Sequence, residues 1–187
     1  MESNRMELGL PEKLEMQRHP SGIEITRRWF TWGTIFLTGF AIVWDGFLLM
    51  WYSIALAGHA NLLFVLFPLI HVGAGICITY SALTGWVNST RIRVEQGQIT
   101  VRHGPLPWYG NKSLDGSTLK QLYSKEKVST GRNSTTVTFD VHAITSDSRD
   151  VKLVSGLESS EQALYIEQEI ERHFHIENAP VRGEIAA

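Results

Sequence analysis

Two ionisable residues stand almost alone in a chargeless stretch of the chain. Between Trp29 and Thr90 there is no Lys, no Arg and a single acid, Asp45; deep in the second half of that stretch lies His71. An ionisable group withdrawn from water needs a partner, because a lone buried charge costs several kcal/mol. Asp45 and His71 are each thirteen positions from Gly58, in the middle of a short link. If the two halves are antiparallel helices, a rise of about 1.5 Å per residue puts both groups ~20 Å from the turn, at equal depth. Helical spacing aligns Thr34, Thr38, Ala41, Asp45 and Tyr52 on one stripe, and His71, Gly75, Ile78 and Ala82 on another. Equal depth then pairs Asp45 with His71 and Ala41 with Gly75, two small residues that let the backbones approach. Three readings of the pair stay open: a hydrogen-bonded clip that sets register, a group that carries or senses protons because His titrates near neutrality, or a contact completed by another helix.

Elsewhere the search for chemistry returns little. His103, His142, His173 and His175 are scattered, and Asp140 and His142 share a strand face without a third ligand in sight. No Gly-rich phosphate loop, nucleophile elbow or zinc-protease helix is present. The one cysteine, Cys77, cannot build a disulfide framework or a cysteine metal cage. The expectation is a non-enzymatic protein with no cofactor and no metal. A net charge of −2 argues against a nucleic-acid binder.

The elements around Asp45 and His71 are two apolar runs, about Trp29 to Leu56 and Leu62 to Trp86. Each is longer than the ~20 residues a helix needs to cross a bilayer. The short link makes them a transmembrane hairpin over 29–87. A signal peptide does not fit the first run: it is too long, no cleavage site follows it, and the preceding 28 residues balance five acids with five bases. Arg27, Arg28, Arg91 and Arg93 flank the hairpin and the link has no Lys or Arg, so both termini are expected in the cytoplasm. These four arginines are the expected lipid head-group contacts, with Arg102 nearby. A second small stripe, Gly73, Cys77, Ser81 and Gly85, reads either as a dimerisation face or as packing within the hairpin. Pro68 is expected to bend the second helix.

After Asn88 the period changes to two. Thr90–Glu95 and Gln98–His103 alternate around the Gln96-Gly97 turn, followed by a Pro-broken loop over 104–111. Further strands are expected near Leu119–Val128, Thr135–Ile144 (Val137, Phe139, Val141 and Ala143 inward) and Asp150–Val154. Ser159 with Gln162 forms a capping box for a helix whose apolar face is Ala163, Ile166, Ile170 and Phe174, with Glu169 on the polar face. Residues 88–178 thus form one cytoplasmic domain. Residues 1–28 are expected to be mostly disordered with a strand at 23–26, and residues 179–187 a disordered tail. The fold class is α+β: a two-helix transmembrane hairpin followed by an antiparallel β domain capped by a helix.

The order RIRVEQGQITVRHGPLPW, LDGSTLKQLY, VTFDVHAI, DVKLVSG and a capped helix resembles the bacterial pleckstrin-homology-like domain of small membrane proteins. The resemblance covers about Ser89 to Ile176, with the hairpin as a common companion. It implies a curved sheet capped by the helix and a binding or scaffolding role at the inner membrane. Phosphoinositide-binding relatives use a long basic loop between their first strands; here that loop is Gln96-Gly97 alone, so no specific phosphoinositide site is expected. From Arg91 onward twelve bases face thirteen acids, which is no polybasic patch. The expected partners are the lipid bilayer and a protein partner or a second copy. The Pro-stiffened loop carrying Leu106, Trp108 and Tyr109 is the candidate contact, since Trp and Tyr are enriched at interface hot spots.

Overall fold

The structure is a computed structural model that describes residues 9–58, 61–131, 134–177, 181 and 183–185. In chain order the elements are strands β1 (Leu14–His19) and β2 (Gly22–Arg28), helices α1 (Trp32–Ala57), α2 (Leu62–Leu66) and α3 (Leu69–Val87), strands β3 (Ser89–Glu95), β4 (Gln98–Gly104), β5 (Lys112–Asp115), β6 (Leu119–Thr130), β7 (Thr135–Thr145) and β8 (Asp150–Leu157), and helix α4 (Ser160–Phe174). They divide into two units. One comprises Met1–Arg28, Ser89–His103 and Pro107–Ala187, the other Trp29–Asn88 and Gly104–Leu106.

The α+β unit has two antiparallel sheets, β1-β2-β3-β4-β5 and β6-β7-β8. Its main departure from expectation is at the N-terminal end. The segment expected to be mostly disordered carries β1 as well as the strand expected at 23–26, which runs as β2 over Gly22–Arg28 and pairs with β3 from Gly22↔Glu95 to Arg28↔Ser89. Leu14, Ile23 and Ile25 are buried there, which is what holds the segment to the sheet. The 60 residues from Trp29 to Asn88 are therefore an excursion out of the middle of a five-stranded meander. Gly22 permits the tight pairing, because a Cβ there would meet the Val94 carbonyl oxygen at 1.8 Å. Residues 1–8 lie outside the described residues.

Between β3 and β4, Gln96 and Gly97 take φ of 49° and 76°, the pair of positive values that a type I′ hairpin turn requires. After the 104–111 stretch, residues 112–115 form the short β5, a strand that the alternation did not mark. Ile25, Ile92, Val94, Ile99 and Val101 of the first sheet share one core with Leu122, Val141, Ala143, Leu153 and Leu157 of the second and with Ala163, Ile166 and Ile170 of α4. Val137, expected inward, is 43% exposed: β7 meets β8 only from Phe139 onward, so its first turn projects past the core. Ser159 caps α4 by accepting from the Gln162 N–H, while the Gln162 side chain accepts from the Glu158 N–H. The helix is more enclosed than a lid. Glu169, expected on a polar face, is buried between Arg18 of β1 and Arg172. Tyr165 donates to the Met16 sulfur and the Gln162 amide to the Glu12 carbonyl. The missed β1 is what covers this side of α4. Of the tail 179–187, residues 181 and 183–185 are described, and Glu184 and Ile185 bond to β6 (Lys125↔Glu184); residues 178–180, 182, 186 and 187 lie outside the described residues.

The helical unit is an antiparallel hairpin. Two runs, Trp32–Ala57 and Leu62–Val87, are each 26 residues and apolar enough to cross a membrane. The second is broken at Phe67–Pro68, where proline cannot donate the backbone hydrogen bond that would continue α2, and α3 starts afresh. Gly58 caps α1, and the Asn61 side chain caps α2 by accepting from the Leu63 N–H. His59 and Ala60 lie outside the described residues. Thr34, Ala41, Leu48 and Ala55 of α1 are buried with Gly75, Ala82 and Thr84 of α3. Large side chains point away: Trp32 is 85% and Phe36 79% exposed.

Candidate functional site

The hairpin does not join Asp45 to His71. Asp45 Oδ2 accepts a hydrogen bond from Thr79 Oγ1 at 2.7 Å. Its other oxygen lies over Gly75, where a Cβ would come within 2.8 Å of Oδ1. His71 stacks on Trp44, with ring centroids 5.9 Å apart, and against Phe67 at 5.8 Å. The Trp44 indole N–H donates to the His71 backbone carbonyl, at 3.1 Å, and His71 Nδ1 is buried without a hydrogen-bond partner. The expected pair fails by about one helical turn, and the reason is the position of the turn. Gly58 is the end of α1, not the centre of the link; the midpoint between Ala57 and Leu62 falls further along the chain. Reflection about that midpoint carries Asp45 to residue 74 instead of 71, beside Gly75, which lies one turn from Thr79. Thr79 was visible on the helical stripe of Gly75, but only the true register makes it the donor.

The hairpin is fastened along its length by aromatic donors to the opposite helix. Trp51 donates to the Phe64 carbonyl, Tyr52 to that of Val65, and the Trp86 indole to Thr38 Oγ1. The small stripe splits. Gly85 packs on Thr34 and so belongs to the hairpin contact. Gly73 has open space around it, Cys77 is exposed, and Ser81 returns its hydroxyl to the Cys77 carbonyl. Asp45 and Thr79 border a groove of about 730 Å³ lined by Leu48, Tyr52, Val72 and Ile76.

In the α+β unit, the outer face of the first sheet is polar, with a concavity of about 510 Å³ lined by Arg91, Arg93, Gln98, Thr100 and Arg102. The four arginines expected to act together have different surroundings. Arg27 turns inward, donating to the Gly156 carbonyl at 2.8 Å beside Glu158; burial lowers its pKa, with Glu158 opposing. Arg28 pairs with Glu15 at 3.0 Å. Arg93 is held by Glu24, which raises its pKa, and lies 3.8 Å from Glu95. Arg91 and Arg102 are exposed, and neither forms an ion pair among the described residues. The inward turn of Arg27 follows from the β2 register, which puts it on the core side beside Ile25 in the alternation.

The second sheet holds a polar network that strand alternation only half disclosed. Asp150 accepts from the Tyr123 hydroxyl at 2.8 Å and meets His142 Nδ1 at 2.8 Å. Burial, then Asp150, pushes the Tyr123 phenol up to about 12. Asp140, on the same strand as His142, is instead bonded by Lys152 at 2.9 Å and the Gly156 N–H at 3.0 Å. Burial acts to raise its pKa, but those donors outweigh it and the carboxyl titrates below its usual value. Among the described residues no cluster of three or more His, Cys, Asp or Glu is arranged to hold a metal. In the loop after β4, the Asn88 amide both donates to and accepts from the Leu106 backbone, at 3.0 and 2.8 Å. Trp108 is half-buried and stacked on Tyr109, itself 81% exposed. Of the three expected contact residues, only Tyr109 is mostly open to solvent.

No family model matches the chain, and no curated protein matches it either.

Proposed function

We propose that this chain is an integral protein of the inner membrane whose helical hairpin anchors a cytoplasmic pleckstrin-homology-like module, and that the module binds a protein partner or a second copy without catalysing a reaction. The observation that carries the reading is the apolar surface of the hairpin. Two 26-residue runs leave Trp32, Phe36, Ile42, Val43, Leu49 and Ile70 exposed, and a water-soluble protein does not tolerate so large an apolar face. The excursion begins at Arg28 and ends at Ser89, which are directly paired in the sheet, so both ends of the hairpin leave from one side. Arg27, Arg28, Arg91 and Arg93 at those ends favour the cytoplasmic side. Arg91 and Arg102 keep exposed guanidinium groups for anionic head groups, at about 1 kcal/mol each near a membrane surface. Two antiparallel sheets closed by α4 support the pleckstrin-homology-like reading, and the two-residue β3–β4 turn supports the absence of a phosphoinositide loop. A proton-responsive role through Asp45 and His71 has less support, because each has different neighbours.

Alkaline carbonate extraction of native membranes, with reporter fusions at Ala187 and beside Gly58, tests the reading. The expected result is full retention in the membrane pellet, with the Ala187 fusion cytoplasmic and the Gly58 fusion periplasmic. Release by carbonate, or a periplasmic Ala187 fusion, overturns it.

A further inference from the structure

The chain itself partly occupies an edge of the second sheet. β6 is the outer strand of β6-β7-β8, and an outer strand presents unpaired backbone N–H and C=O groups to any extended segment that can reach them. Here Glu184 bridges Lys125 in antiparallel sense, and the Ile185 N–H donates to the Ser124 carbonyl at 3.0 Å. The pairing is short for a stated reason. Gly183 takes φ of 90°, and the Glu184 N–H returns to the Val181 carbonyl at 3.1 Å, so the chain is in a turn until Glu184. Strand alternation directs the backbone groups of Glu126 and Val128 to the same edge as Ser124, beyond the stretch that Glu184 and Ile185 cover.

We infer that the β6 edge is a strand-addition site for an extended acidic peptide of a protein partner, and that residues 183–185 are an incomplete ligand held there in cis. The chemistry follows from the register. Glu184 lies opposite Lys125, so a partner strand continuing antiparallel places the residue two positions earlier opposite Lys127 and the residue three positions earlier opposite Val128. Lys125 and Lys127 share one face of β6, which asks for an acid at each of the two facing positions. Val128 is exposed and paired with the exposed Val137, which asks for an aliphatic residue at the third. The favoured pattern is aliphatic-acid-any-acid in extended conformation, with main-chain bonds supplying affinity and the lysine row selectivity. The chain's own segment supplies the last acid and, through Gly183, stops there.

The inference rests on the proposed binding module but not on its membrane anchoring. It is tested on the full chain in detergent micelles, so a failure of one reading leaves the other standing. The probes are fluorescent peptides VRGEIAA, the sequence of residues 181–187, and VEVEIAA, which differs from it by R182E and G183V. The receptors are the parent chain and an Ile185→Pro variant, which removes the donor N–H; a chain lacking residues 181–187 replaces the variant if it does not fold. The expected result is that VEVEIAA binds the Ile185→Pro chain about ten-fold more tightly than it binds the parent, because the cis ligand no longer competes. It is also expected to bind about ten-fold more tightly than VRGEIAA, and to slow amide exchange over residues 122–128. Lys125→Glu with Lys127→Glu is expected to abolish the preference. Absence of binding to the folded variant up to about 1 mM peptide, or binding that is indifferent to the lysines, overturns the inference.

Discussion

Excising the helical hairpin is the sharpest test of the topology. Trp29 extends the β2–β3 ladder by donating its N–H to the Asn88 carbonyl, so a two-residue Asn-Gly turn of type I′ closing on this hydrogen-bonded pair can replace residues 30–87 without shifting the register. The resulting chain, residues 9–29 joined through Asn-Gly to 88–187, is expected to be soluble and to melt cooperatively. The fragment 89–187 alone is expected not to fold. The magnitude comes from the core. Leu14, Ile23 and Ile25 are all buried, and full burial of such a side chain contributes about 1.5–3 kcal/mol. Losing three of them removes about 5–9 kcal/mol, which is comparable with the whole stability of a domain, about 5–15 kcal/mol. Circular dichroism melts and amide proton dispersion of both chains provide the measurement. Within the graft, Ile25→Ala is expected to cost about 2–5 kcal/mol, and Gln17→Ala on the exposed outer face of β1 less than about 0.5 kcal/mol. A fragment that melts within a few degrees of the graft would refute the role given to β1 and β2. A graft with no cooperative transition would refute the claim that the sheet closes without the helices.

Three further outcomes follow from the contacts. In the hairpin, Thr79→Val is expected to destabilise by about 1–3 kcal/mol by stranding the Asp45 carboxyl, whereas His71→Leu removes an unpartnered nitrogen and is expected to cost less; a detergent unfolding series that reverses this order would restore the Asp45–His71 pairing. On α4, Glu169→Lys breaks a buried contact with Arg18 and Arg172 and is expected to cost about 3–5 kcal/mol, against less than about 0.5 kcal/mol for the exposed Glu161→Gln; equal melting temperatures would show that β1 does not cover the helix. His103 is held below its ordinary pKa of 6.5 mainly by burial, with Lys112 and Arg27 also lowering it against a Gly110 backbone bond. A proton therefore binds the unfolded chain more readily, so stability is complete above about pH 6.5 and falls as the pH drops through that value toward the folded pKa. The grafted domain should melt lower at pH 5.5 than at 7.5, and His103→Gln should shrink that difference; an unchanged difference would count against the assignment.

By itself, the sequence determined those features that depend on local composition and period. A stretch with Asp45 as its single acid and no Lys or Arg carries two apolar runs long enough for membrane-length helices, and Pro68 marked the place where the second is interrupted. Alternation marked β3, β4, β6, β7 and β8, and Ser159 with Gln162 marked the start of α4, because side-chain spacing maps directly onto faces. Which distant segments meet was settled by long-range packing. Leu14–His19 is a weak strand on local grounds, with Arg18 and Gln17 in it; it becomes one because Ile25 carries β2 against β3, across the excursion from Trp29 to Asn88, and Arg18 then reaches Glu169. The partner of Asp45 depended on where the chain turns, and a shift of less than two residues in the centre of the link moves the facing residue by about one helical turn. Arg27, Arg28, Arg91 and Arg93 are alike in sequence, yet strand register sends Arg27 inward, hands Arg28 and Arg93 to glutamates and leaves Arg91 exposed. Register and long-range pairing arise from the summed burial of many residues, and no local window of the chain contains that sum.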